Sequence, residues 1–382
     1  MIRIADGCVG VAVVLLALQR THSPAAAGLI VTGYTLPALA SGPLLGAWLD
    51  RTHHRRFALA GNELVLAASM LGLVAALGHA PLAACVAIAA AAGLTLPLTS
   101  AGFTSLIPHM VTPAQLPKAN TLDAVSFNGA AILGPAIAGT LAAATSPALA
   151  TVATAAIALA AIPATLGLPM PPLQAARDET AGLWATVRAG ARVMLRTPPL
   201  RGGTVTTVIA QSAQGMFAVG FPLFALRLGA GTEAGGALWG ALEVGALIGA
   251  FAATRVLERY SPEHVIIYGT AIFGLGIATW PLASSIGMAA VLVALAGVLS
   301  GPLLVATFSM RQRYTPQGLL AQVSTTGASL KIGAYALGAA VGGWLVPSAG
   351  ALVAIGIIAT LHITAAVAGA AMARTGSPYP AR

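Results

Sequence analysis

The sequence has very little charge. Only 8% of its 382 residues are charged, against 57% hydrophobic. Soluble domains carry about 25% charged residues, so lipid is the natural solvent for most of this surface. Cysteine is almost absent. Cys8 and Cys85 both fall inside apolar stretches, which excludes a disulfide framework or a zinc-type cluster and leaves them as packing residues. Lysine is nearly missing too, with 2 Lys against 17 Arg; together with abundant alanine this suggests a GC-rich bacterial genome. No G-x-x-x-x-G-K-[ST] loop is present, which argues against an ATP-driven pump. No nucleophile–base arrangement is visible, so an enzyme is not expected. The histidines sit mostly at span ends, with no pair at metal-ligand spacing, so neither a metal nor a cofactor is expected. The net charge of +9 is spread between apolar segments. It reads as a topology signal rather than a nucleic-acid footprint.

What fills the chain is a succession of apolar runs long enough to cross a bilayer, each needing roughly 20 residues. They predict helices at 3–19, 25–49, 57–77, 81–107, 119–143 and 147–168, then 200–226, 234–256, 264–285, 287–310, 320–346 and 349–373. Residues 8–18 resemble a signal-peptide core, but the spans that follow make the first helix a retained one. Only two residues precede Arg3, so either its first turns are missing or the true start lies upstream of Met1. Counting basic residues by loop places sixteen of the nineteen on the side of the N-terminus. Arg20 and Arg227 fall on the other side, and Lys331 within a span. This bias puts both termini in the cytoplasm.

Residues 169–199 stand apart. Pro169, Pro171, Pro172, Asp178 and Glu179 open the segment, and Pro198 and Pro199 close it. Between them Arg188, Arg192 and Arg196 recur every four residues, opposite Leu183, Trp184, Val187 and Met194. The pattern fits either a basic amphipathic helix on the inner leaflet or a solvated linker helix. Either way it joins an N-terminal bundle, 1–168, to a C-terminal bundle, 200–382. At an offset of 203 residues Gly28, Gly33, Gly42, Gly46 and Gly139 fall on Gly231, Gly236, Gly245, Gly249 and Gly342, with Arg56 on Arg259 and Thr112-Pro113 on Thr315-Pro316. Five of fifteen glycines coincide where about two are expected by chance, and the offset holds across four spans, so the halves read as related repeats.

The loop after the second span reads Gly46-Ala47-Trp48-Leu49-Asp50-Arg51-Thr52-His53-His54-Arg55-Arg56. Gly46 permits close helix packing, and Asp50 suits the N-terminus of a facing helix. It resembles the signature G-x-L-x-D-R-x-G-R-R of the major facilitator superfamily, with His54 where glycine is usual. The second-half counterpart has Ala253 in place of Asp50. In the fifth span, Gly129, Gly134, Pro135 and Gly139 resemble the family's antiporter motif, with Ala138 replacing its first closing glycine. Small residues there allow close approach and Pro135 allows a bend. The resemblance covers essentially the whole chain. It implies two six-helix bundles around a midplane cavity, about twelve transmembrane helices in all. It also implies that Asp50, with Arg51, Arg55 and Arg56 nearby, forms a conformational gate against the eleventh span. The order of motifs is most similar to the bacterial siderophore and macrolide exporter branch. One family feature is missing: the fourth span has no embedded arginine.

Charges inside a bilayer are costly and usually functional. Glu243 and Lys331 both lie near the midplane of their spans and are expected either to pair across a cavity or to serve proton coupling. Asp6 is the next such candidate, and Asp123 a further one. Asp123 and Glu63 also read as partners of cytoplasmic arginines. Gln211, Gln214, Phe217 and Phe221 form a polar-then-aromatic run that either lines a substrate site or meets lipid and neighbouring helices. Tyr34, Asn128 and Tyr335 are further cavity candidates. These features imply a monomeric secondary transporter of a bacterial cytoplasmic membrane, with protons and membrane lipid as partners. Proton-coupled export of a small amphipathic, natural-product-like molecule is the expectation. An uptake permease and a non-transporting sensor or assembly partner are the alternatives.

Overall fold

The computed structural model describes residues 1–169, 182–232 and 234–374, and among these there is helix but no strand. The helices are α1 (Ile2–Thr21), α2 (Pro24–Arg51), α3 (Arg55–Ala76), α4 (Leu82–Met110), α5 (Leu116–Ala144), α6 (Pro147–Leu166) and α7 (Leu183–Arg196). Then come α8 (Pro198–Gly215), α9 (Phe217–Arg227), α10 (Ala234–Arg259), α11 (Pro262–Ile277), α12 (Ile286–Tyr314), α13 (Leu320–Ala349) and α14 (Ala351–Arg374). Eleven helices are long and apolar enough to span a membrane, and α8 with α9 makes a twelfth if counted as one bent span.

Serine side chains cap α2, α6 and α12. Ser23 Oγ accepts from Ala26 N at 3.2 Å and Ser146 Oγ from Leu149 N at 3.2 Å, each followed by proline at the first helical position. Such a cap contributes about 1 kcal/mol by satisfying an otherwise free N–H. Gly350, at φ +85°, makes the one-residue link between α13 and α14, a backbone region that other residues enter only at a cost.

Three spans depart from the uniform helices expected. The seventh is broken at Met216 by 45°, next to low-propensity Gly215, with Pro222 inside the helix that follows. The ninth stops at Ile277 and continues as a 3₁₀ turn, Trp280–Leu282. The fourth contains a π-helical turn, Leu98–Gly102, directly after Pro97, where the proline has removed a ladder hydrogen bond.

The chain forms two compact units that do not follow its order. One gathers Met1–Thr112, Gly129–Val187 and Gly318–Ser329; the other holds Pro113–Asn128, Arg188–Gln317 and the chain from Leu330 onward. In the first unit α2 packs on α4, and α3 and α1 pack on α6. In the second, α10 packs on α12 and α8 on α14, while α11 meets both α12 and α14. The second core is aromatic, with Phe217, Phe221, Phe224, Phe273 and Trp280 all buried. Large apolar side chains such as Leu337, Trp344 and Val367 are more than 60% exposed, as lipid-facing positions are.

On α7, Arg188, Arg192 and Arg196 are exposed along with Trp184 and Leu195, while Met194 is buried. The linker residues Pro171, Pro172, Arg177, Asp178 and Glu179 lie outside the described residues, as does Arg382.

Candidate functional site

A cavity of about 170 Å³ lies within the second unit. Its polar wall is Asn128 from α5, Gln211 and Gln214 from α8, Glu243 from α10 and Lys331 from α13. Leu242, Phe273, Leu303 and Leu304 supply its apolar wall. Glu243 is the tenth residue of α10 and Lys331 the twelfth of α13, so each lies about 14–17 Å along its helix at 1.5 Å per residue. Both face the cavity, yet among the described residues they form no ion pair with each other or with any other group. Gln211 Nε2 donates to Gln214 Oε1 at 3.3 Å, one turn along the same helix face. Asn128 is 8% exposed, and its Nδ2 has no hydrogen-bond partner.

Five of the sequence candidates thus converge on one space, and others do not. Phe217 and Phe221 neither line this cavity nor face lipid. Their rings stack at 4.7 Å and contact Trp239 and Trp280, with Phe217 1% and Phe221 2% exposed. The break at Met216 separates α9, which carries both rings, from the axis of α8, so the polar and aromatic residues do not continue one face. Tyr335 packs edge-on against Trp239 at 6.5 Å. In the other unit Tyr34 donates its hydroxyl hydrogen to Asp6. Asp123 lies outside the cavity wall, with Ser126 Oγ donating to its backbone carbonyl at 2.8 Å. Glu63 is fully buried and accepts from Thr165 Oγ1 at 2.5 Å. The expected arginine partner is replaced by a hydroxyl on α6, because Glu63 turns into the bundle rather than toward the basic loops.

The lining also includes Thr207, Ser300 and Thr307, which the sequence reading missed. Thr207, Gln211 and Gln214 follow i, i+4, i+7 spacing, and that periodicity was the available signal. Ser300 and Thr307 return their hydroxyls to their own helix, at Gly297 O and Leu303 O.

A second constellation joins α2 to the start of α13 inside the first unit. Asp50 is 6% exposed. Its Oδ1 accepts from Ala321 N at 3.0 Å and its Oδ2 from Gln322 N at 2.8 Å. These N–H groups belong to the first turn of α13, where the helix dipole favours an anion. One turn back, a Cβ on Gly46 would fall 2.6 Å from the Ala321 carbonyl oxygen; on Gly42 it would fall 2.6 Å from that of Thr325. Thr325 Oγ1 donates to Gly42 O at 2.7 Å and Ser329 Oγ to Ala38 O at 2.5 Å. Ala38, Gly42, Gly46 and Asp50 therefore form one four-residue-spaced seam. Arg55 turns back on its own loop, with Nε donating to Leu49 O at 3.1 Å, and Arg51 Nη1 reaches Thr186 Oγ1 at 3.3 Å. Arg56 stacks over the adjacent Phe57 ring at 5.2 Å.

In α5, Gly134 meets Gly7 of α1 backbone to backbone, but a Cβ on Gly129 or Gly139 would meet nothing within 4 Å. The close approach to α1 runs through the Ala130 and Gly134 backbones, with a Cβ on Gly7 falling 2.6 Å from Ala130 O, and Gly129 and Gly139 are offset from that face. Among the described residues no cluster of His, Cys, Asp and Glu is arranged to hold a metal.

The uncharacterized MFS-type transporter y4rN of Sinorhizobium fredii (strain NBRC 101917 / NGR234) is 30% identical over 379 residues, covering 94% of this chain and 92% of that protein. The fold is similar to the MFS proton:xylose symporter XylE bound to 6-bromo-6-deoxy-D-glucose, with TM-score 0.74, 13% identity and coverage of 96% of this chain and 93% of that one. It is equally similar to the human organic anion transporter MFSD10, with TM-score 0.74, 17% identity and 96% coverage of both chains. The sequence profile of the Major Facilitator Superfamily matches residues 1–325. The chain is an integral membrane protein and belongs to the Major Facilitator Superfamily of transporters.

Proposed function

We propose that this protein is a proton-coupled secondary transporter that exports a small amphipathic molecule by alternating access. The observation that carries the reading is the cavity shared by Glu243 and Lys331 without an ion pair between them. A carboxyl near mid-span that makes no ion pair among the described residues is a proton acceptor by position, because its charged form is costly there and a proton removes that cost. Protonation of Glu243 releases whatever the carboxylate held, which changes the relative stability of the two access states. Asp6, bonded to Tyr34, is the second candidate carrier of the proton.

The seam along α2 is the gate in this reading. With the basic loops and both termini cytoplasmic, Asp50 holds the start of α13 while the inner side is shut. Export is favoured by the Gly134–Pro135 motif and its contact with Gly7. The small cavity favours a compact substrate over a macrolide or siderophore. Uptake is the second reading, because the similarly folded XylE is a proton:xylose symporter. Placement in a bacterial cytoplasmic membrane and action as a monomer belong to the same proposal.

Reconstituted protein tests it. Substrate added to oriented proteoliposomes is expected to drive a proton flux that Glu243→Gln abolishes, with the sign of the flux giving the direction. Substrate-linked proton flux that survives Glu243→Gln and Asp6→Asn together sinks the mechanism.

A further inference from the structure

Two opposite charges that only stabilise a fold are normally placed in contact, because their attraction then offsets part of their desolvation cost. Glu243 and Lys331 share one cavity and are not in contact by that measure. A ligand with a single charge would compensate one of them and leave the other alone. A ligand with both charges compensates both.

The rest of the wall matches such a ligand. The unpartnered Nδ2 of Asn128 adds a donor of the kind a carboxylate takes. The Gln211–Gln214 pair supplies both amide donors and acceptors. Leu242, Phe273, Leu303 and Leu304 leave room for a short apolar group. A volume of about 170 Å³ accommodates on the order of ten water-sized groups.

We infer that the cavity binds a small zwitterion carrying one carboxylate, one ammonium and a compact apolar side chain. Lys331 and Asn128 take the carboxylate, and Glu243 takes the ammonium. The inference rests on the carrier reading for its purpose and names the class of substrate. Arg311, buried on α12, is not part of the cavity wall, so the lining itself carries one acid and one base, although the Arg311 charge acts on Lys331 from behind it.

The test is a matched series measured by calorimetry and thermal shift on purified protein. It comprises phenylalanine, phenethylamine and 3-phenylpropionate, with leucine, isoamylamine and 4-methylpentanoate as the smaller set. The zwitterion of at least one set is expected to bind about tenfold or more tightly than either singly charged relative. Glu243→Gln is expected to remove that advantage over the acid, and Lys331→Met the advantage over the amine. An amine or an acid that binds wild type as well as its zwitterion overturns the inference. So does a series in which nothing binds protein shown to be folded by circular dichroism and monodisperse in detergent. Flux assays separate this result from the carrier reading. Charge-selective binding without flux refutes the carrier and leaves the site chemistry standing. Flux of another compound, with no binding across the series, does the reverse.

Discussion

Asp50 and Ala253 occupy corresponding places at the 203-residue offset between the two halves of the sequence, yet the corners built around them use different chemistry. At Asp50 a buried carboxylate takes two backbone N–H groups from the first turn of α13. At Ala253, fully buried, the neighbours are Ala124, Val305 and Phe308, with the Phe127 and Phe308 rings 5.8 Å apart. The polar bonds that Asn120 and Thr121 make at the second corner are neutral and between side chains. Asn120 and Gln312 exchange amide hydrogen bonds at 2.7 and 2.9 Å, and Thr121 meets Thr254 at 3.1 Å. The start of α5 contributes to the difference. Ala119 N, the counterpart of Gln322 N at the 203-residue offset, is already bonded to Gln115 O at 3.0 Å, so a carboxylate there would find one of its two donors taken. The loss of the acid from the second loop is therefore matched by a helix start in which that donor is already satisfied.

The strongest challenge to this comparison is Ala253→Asp. If the corners differ as described, the new carboxylate enters a buried apolar cluster and destabilises the protein by about 3–5 kcal/mol. A fall in melting temperature and in folded yield would register it. Unchanged stability would mean that the second corner can accept a charge after all, and the contrast would dissolve.

Asp50→Ala comes next. It removes two charge-assisted hydrogen bonds and frees the first-turn donors of α13, an effect of about 2–3 kcal/mol. On the gate proposal the effect appears in the conformational equilibrium rather than in unfolding. A cysteine introduced by Ser41→Cys, an isosteric change at a buried site with no hydrogen-bond partner, is expected to react at least tenfold faster with a soluble maleimide in the Asp50→Ala background. A lower melting temperature with unchanged reactivity would make Asp50 merely structural. Asp50→Asn keeps one acceptor oxygen and should fall between wild type and alanine.

The two glycines one turn back sharpen the same contrast with smaller effects. A Cβ on Gly46 meets α13 at the Ala321 carbonyl oxygen, whereas one on Gly249 meets the Val298 backbone of α12, 2.9 Å from its carbonyl carbon. Overpacking at either site costs roughly 1–3 kcal/mol. Gly46→Ala is expected to raise the Ser41→Cys labelling rate with little change in melting temperature, and Gly249→Ala to lower the melting temperature with little change in labelling. Identical behaviour of the two variants would remove the distinction between a moving seam and a fixed one.

How much of this was readable beforehand follows from the range of each interaction. The spans were legible because hydropathy is local, and Asp50 because its neighbours in sequence form a recognisable loop. Glu243 and Lys331 were legible because a charge in an apolar run is conspicuous. That they line one cavity was inferable, but the absence of an ion pair between them was not. Phe217 and Phe221 misled because periodicity reports a helix face without naming what covers it, and Trp239 and Trp280 arrive from elsewhere in the chain. The Glu63–Thr165 and Asn120–Gln312 bonds join residues 102 and 192 positions apart. Their hydroxyl and amide partners look like many others in membrane helices that return to their own backbone, as Thr207 does to Gly203 O at 2.9 Å.

The mildest test addresses the neutral corner. Asn120→Ala deletes the amide exchange with Gln312 and the bond to Ser309 Oγ at 3.2 Å. Neutral hydrogen bonds of this kind contribute about 1 kcal/mol each, and leaving Gln312 partly unsatisfied adds to the loss. The expected effect on transport and labelling is thus a few-fold, below that of Asp50→Ala. Asn120→Asp refines the measurement. As a carboxylate it still accepts from Gln312 Nε2 but can no longer donate to Gln312 Oε1; once protonated it can donate again. Its defect should therefore ease as the pH falls, while Asn120→Ala shows no such recovery. If Asn120→Ala proves as damaging as Asp50→Ala, the corners carry equal energy, and charge is not what distinguishes them.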